Sequence, residues 1–111
     1  MDTLNKYREI IQNILNQYIN ISYANANIYN ELVIDSKNDR YLVMSVGWDK
    51  VRRIHGCLIH LDIINGKIWI QRDSTEDGIA IELEKAGIPK ELIVLGFQEP
   101  DVRQYTDYAV A

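Results

Sequence analysis

CLIHLDIINGKIWIQRD, residues 57–73, contains two runs of alternating residues joined by Asn65-Gly66. Asn-Gly is the strongest short signal for a two-residue hairpin, because a type I′ turn needs positive φ at both central positions. A turn of that length fixes the register. It sets Ile64 opposite Lys67, Ile63 opposite Ile68, Asp62 opposite Trp69, Leu61 opposite Ile70 and His60 opposite Gln71. With strict alternation, Cys57, Ile59, Leu61, Ile63, Ile68 and Ile70 share one face, which must be the core face. Leu58, His60, Asp62, Ile64, Lys67, Trp69, Gln71 and Asp73 then share the other.

Working outward, YNELVID (29–35) and RYLVMSVGW (40–48) also repeat every two residues, with the polar turn SKND between them. RIHGCLIHLDII (53–64) and KIWIQRD (67–73) complete a four-stranded antiparallel meander. Before it, Leu4, Tyr7, Ile11, Ile14, Leu15 and Tyr18 recur at helical spacing, predicting an amphipathic helix over 2–20 capped by Asp2 or Thr3. NISYANANIYN (20–30) has no helical period and reads as a loop entering a strand. After the meander, 76–86 returns to a helical pattern through Ile79, Ala80, Leu83 and Ala86, with Asp73 to Glu76 as a capping box. Gly87 is placed to end it, ahead of Pro89. IVLGF (93–97) is a short buried strand or packed loop, and Pro100 is placed to open a last helical turn. Helices and strands segregate along the chain, so the expected class is α+β, one domain over residues 1–111.

The composition of an ordinary globular protein accompanies this pattern, 47% hydrophobic and 25% charged. No apolar run is long enough to span a membrane. MDTLNKYREI is polar and mixed in charge where a secretion signal is basic and then apolar, and the single cysteine permits no internal disulfide; both fit a cytoplasmic protein. The net charge is −4. Nucleic-acid readers draw most of their affinity from a basic footprint, and here only Lys50, Arg52 and Arg53 cluster. Direct DNA contact through those three is therefore the weaker expectation.

His60 and Asp62 share a strand face about 7 Å apart, with Gln71 and Trp69 across from them. A histidine beside a carboxylate can transfer a proton or grip a ligand. No nucleophile motif, Gly-rich phosphate loop or second carboxylate at fixed spacing accompanies the pair. His60, Asp62, Trp69 and Gln71 are the candidate partner or ligand surface, with small-hydrolase chemistry at His60 and Asp62 as an alternative. Strict alternation separates His60 from His55 and Cys57, which opposes a zinc site, and Cys57 reads as a small core residue. Asp73, Asp77, Gly78 and Glu84 mimic the spacing of a calcium loop, but Thr75 and Ala80 break its pattern and a strand precedes it. No metal and no cofactor are expected.

GKIWIQRDSTEDGIAIELEKAGIPKELIVLGF (66–97) resembles the XisI-type excision-controlling factors, named for the fdxN DNA element. LNKYREIIQNIL (4–15), VGWDKVRRIHGCLIHLDI (46–63) and EPDVRQYTDYAVA (99–111) extend the likeness over essentially the whole chain. It departs at Arg72-Asp73-Ser74, where related sequences often carry an acidic residue and glycine. The resemblance implies an accessory factor for programmed excision of a DNA element by a site-specific recombinase, acting beside a nuclease-like companion of the XisH type. It implies no catalytic residues. Its recurring positions are matched by His60, Asp62, Trp69, Gln71, Asp73, Thr75, Glu76, Pro89, Pro100 and Arg103. A non-enzymatic protein, homo-oligomeric through the face bearing Trp69, Ile64 and Leu58 or through the tyrosine-rich sheet ends, is the resulting expectation.

Overall fold

The computed structural model describes residues 2–21, 23 and 26–111, with the side chain of Asp2 outside the described set. In chain order it contains α1 (Asp2–Ile19), β1 (Asn27–Asp35), β2 (Arg40–Asp49), β3 (Arg52–Ile64) and β4 (Lys67–Asp73). Then follow α2 (Ile79–Lys85), a 3-10 turn (Lys90–Leu92), β5 (Ile93–Leu95) and α3 (Pro100–Arg103). The strands lie side by side in sequence order, antiparallel through β4, and β5 joins parallel to β4. A parallel neighbour needs a crossover, and α2 supplies it. The fold is α+β, as the periodicities predict, with the C-terminal strand added to the meander.

Tyr7, Ile11, Ile14 and Leu15 from α1 and Ile79, Ala80 and Leu83 from α2 are buried against one sheet face. That face supplies Tyr41, Val43, Ile59, Leu61, Ile63, Ile68, Ile70 and Ile93. Removing an isoleucine or leucine side chain of this kind from water contributes about 1.5–3 kcal/mol. Arg8 fixes the start of the bundle: its Nε and Nη2 donate to the two Asp39 oxygens at 2.8 and 3.0 Å, tying α1 to the β1–β2 turn. Thr3 lies inside the first turn of α1, and the expected cap at Asp2 falls on a side chain outside the described set. The expected loop at 20–30 includes residues 22, 24 and 25, also outside it.

Several expectations are corrected. α2 begins at Ile79, three residues later than its pattern, and Ala86 is exposed beyond it. Asp73 forms no capping box with Glu76. Its Oδ2 accepts from the amide of Ile79 at 2.7 Å and its Oδ1 from the amide of Thr75 at 2.9 Å, so one carboxylate bridges the end of β4 to the helix start. Gly87 does end α2: at φ 109° it donates to Glu84 O while Ile88 donates to Leu83 O, the Schellman pattern.

Two β-bulges alter the faces. Between β2 and β3 the register steps from Val43 opposite Ile59 to Met44 opposite Cys57, leaving Leu58 as the extra residue. Leu58 therefore packs towards the helices, and Cys57 passes to the outer face beside Met44. Cys57 is half-buried and outside the core. Between β3 and β4, His60 faces Arg72 and not Gln71, because Gln71 is the extra residue. Asp73 consequently pairs with the core residue Ile59 and points to the helix side.

Candidate contact face

Both helices cover the same side of the sheet. On the other side, paired residues form rows across the strands. Asn27, Trp48 and Arg53 make one row, Tyr29, Val46 and His55 the next, then Glu31, Met44 and Cys57. Val33, Leu42, His60 and Arg72 follow, and the last row is Asp35, Arg40, Asp62, Trp69 and Val94. Val33, Tyr29 and Trp48 are exposed, and Leu42, Met44 and Val46 are half-buried.

Asp62 anchors the last row. It is only 6% exposed, and a buried carboxylate must be paired to stay ionised. His60 Nε2 lies 2.8 Å from its Oδ1, Gln71 Nε2 donates to Oδ2 at 3.3 Å, and Arg40 Nε stands 3.5 Å from Oδ1. A carboxylate only accepts, so His60 carries its proton on Nε2. Gln71 is the extra residue of the bulge, and its amide reaches Asp62 while Arg72 takes the place opposite His60. Three of the four residues singled out from sequence thus meet on Asp62.

The fourth is placed differently. Trp69 sits directly across from Asp62 but is half-buried, with the Arg103 guanidinium 5.1 Å from its ring centroid. Arg103 is held by Gln98 O at 3.1 Å and Gly96 O at 3.3 Å, so α3 and its approach cover this corner. The expected contact surface through Trp69, Ile64 and Leu58 is therefore broken up: Trp69 is capped, and Leu58 faces the helices. The open part of the face lies nearer β1 and β2.

Arg40 carries no local mark of a site residue, and Arg103 stands out only through the family resemblance. Arg40 opens β2, and only the three-strand row places it beside Asp62. Pro100 at the first helical position is the local sequence cue for α3, the turn that carries Arg103.

Chemically, the pair is a held carboxylate with a histidine whose Nδ1 has no hydrogen-bond partner among the described residues. No hydroxyl or thiol is within hydrogen-bond distance of that ring among them. Cys57, now on the same face, donates to Ile59 O at 3.2 Å, and burial pushes its pKa up, opposing thiolate formation. Among the described residues no group of three or more His, Cys, Asp or Glu side chains is placed to hold a metal ion. Lys50, Arg52 and Arg53 gather at the β2–β3 hairpin tip, away from the Asp62 row.

A five-stranded sheet with two helices on one face and an open opposite face defines a small α+β domain. A protein-family model described as XisI protein matches residues 1–110, and the chain belongs to that family. It is similar to the crystal structure of a XisI-like protein from Anabaena variabilis ATCC 29413, with 43% identity and a TM-score of 0.85. That match covers 97% of this chain and 99% of the other. The structure of the fdxN element excision controlling factor XisI from the same organism is similar too, at 40% identity and TM-score 0.82, covering 97% and 98%. Among curated proteins none matches the chain. No helix of the described residues is long and apolar enough to cross a membrane.

Proposed function

We propose that this protein is a non-enzymatic controlling factor for programmed excision of a DNA element, acting in the cytoplasm by binding a nuclease-like companion. The observation that carries the reading is the uncovered sheet face, where Val33, Leu42 and Met44 stand beside the anchored His60. Large apolar side chains left without a covering element mark a contact surface. A net charge of −4 favours a basic, DNA-handling partner over DNA itself as the occupant. The family's kinship to an excision controlling factor supplies the process. A recombinase complex is the setting in which such a pair acts, and self-association through the same open face is part of the proposal.

Calorimetry of the purified protein with an XisH-type companion tests this. The expected result is saturable binding that weakens at least tenfold with Val33→Asp or His60→Ala, both at exposed or half-exposed positions. Unchanged affinity in both variants, with circular dichroism unaltered, would remove the face from the interface. A hydrolytic role for His60 and Asp62 predicts instead a rate abolished by His60→Ala with an apparent pKa in the histidine range.

A further inference from the structure

The corner of the open face at the β2–β3 hairpin has a different chemistry from the Asp62 row. Its two outermost rows carry Trp48, Tyr29, Arg53 and His55, all exposed. Trp48 and Tyr29 are 47% and 55% exposed, high values for rings on a sheet face. Arg53 lies with its guanidinium carbon 5.2 Å from the Trp48 centroid. Beside the ring is a shallow depression of about 520 Å³ lined by Ala26, Asn27, Trp48 and Lys50.

Charge is concentrated at the same corner. Lys50, Arg52 and Arg53 stand against one carboxylate, Asp49, which pairs with Arg52 at 3.4 Å. Among the described residues no carboxylate lies within ion-pair distance of Lys50 or Arg53. In a chain of net charge −4 this is a segregated cationic tip. Glu31, in the following row, bounds it on the side of the sheet centre.

We infer that this corner is a stacking platform for single-stranded nucleic acid, with Trp48 and Tyr29 taking bases and Lys50 and Arg53 taking the backbone. Open sheet faces with exposed aromatics bind single strands this way, because unstacked bases can lie on the rings while cations follow the phosphates. Trp48 and Tyr29 are diagonal neighbours on adjacent antiparallel strands, a placement that sets such residues about 7–8 Å apart, of the order of the base separation in an extended strand. A duplex offers phosphates but keeps its bases stacked away from the rings. An acidic peptide would answer the cations and leave two flat rings without partners. The inference stands apart from companion binding, which uses the rows nearer His60.

Fluorescence anisotropy of a labelled oligothymidylate of about 12 nucleotides, within the usual site sizes, tests it against an abasic oligomer of equal length. Polyglutamate serves as competitor. The expected result is oligothymidylate binding that falls steeply with salt, with the abasic oligomer about tenfold weaker or more. Trp48→Ala and Tyr29→Ala each weaken binding about tenfold, Trp48→Phe largely restores it, and Lys50→Gln flattens the salt response. Four results would overturn the inference: no binding at low salt, equal binding of the abasic oligomer, full competition by polyglutamate, or unchanged binding in both ring variants. Circular dichroism of each variant separates lost contact from lost fold.

Discussion

His60 and Asp62 lie two residues apart on one strand, and their side chains meet at 2.8 Å, imidazole Nε2 to carboxylate Oδ1. The contact is held from outside the pair, by Gln71 on β4 and Arg40 on β2. That arrangement makes Asp62 a structural keystone of three adjacent strands, with His60 as its outward-facing partner.

Replacing Asp62 tests this. Asp62→Ala takes the acceptor from His60, Gln71 and the part-exposed Arg40, and losing hydrogen bonds to a charged group costs about 1.5–3 kcal/mol. Asp62→Asn keeps the shape but removes the charge, so a smaller loss of about 1 kcal/mol is expected. Urea denaturation should rank the wild type, Asn and Ala proteins in that order. Equal stability of all three would show that the network contributes nothing.

Two glycines separate backbone necessity from slack. Gly47 has φ 151°, and a Cβ there would lie 2.1 Å from Asn27 O, a backbone atom that cannot move without shifting β1. Gly56 meets nothing within 4 Å and keeps negative φ. Gly47→Ala should lower the melting temperature strongly. Gly56→Ala should be neutral or stabilising by up to about 1 kcal/mol, through reduced freedom of the unfolded chain. Thermal melts followed by circular dichroism decide it.

Stability should depend on pH at both ends. The Arg8 guanidinium hydrogen-bonded to Asp39 holds that carboxyl below the usual carboxylate range. A depressed folded pKa contributes stability above the unfolded value of about 3.9 and loses it as pH falls through the folded one. Asp39→Asn should flatten the acid limb of a stability–pH curve; an unaltered limb would assign it to other carboxylates.

At the alkaline end, burial first and a neighbouring carboxylate second raise the phenols of Tyr41 and Tyr108 to about 12, and that of Tyr18 upward as well. Their stabilisation is full below the unfolded value of about 10 and is lost as pH rises through the folded values. Ultraviolet titration should show three of the seven tyrosines ionising late and together with unfolding. Tyr108→Phe should remove one of them. Normal titration of all seven would refute the packing of these rings.

Arg103 over Trp69 predicts an optical signature. In a Trp48→Phe background, Arg103→Ala should shift the remaining emission to longer wavelength as Trp69 gains water. The accompanying loss of stability should be about 1 kcal/mol, the scale of a partly shielded cation–π contact. An unshifted spectrum would mean that other parts of the C-terminal segment shield the ring.

Local pattern alone determined the strands and their order to β4, the Asn65-Gly66 turn, the apolar stripe of α1 and the stop at Gly87. These depend on period, turn chemistry and capping, which act over a few residues. The family kinship was legible over the whole chain for the same reason that its motifs are contiguous. The tertiary structure alone decided which residues share a face beyond the bulges. Cys57, Leu58 and Ile59 are all apolar, so alternation carries no mark of the phase change that sends Cys57 outward. The extra residue at Gln71 likewise moved Asp73 to the helix side, where it reaches Ile79. Arg40 and Arg103 joined the site through neighbours far away in sequence, and no local rule encodes such partners. A bulge is a decision taken between strands, by the packing each must satisfy, so it appears only when the strands are brought together.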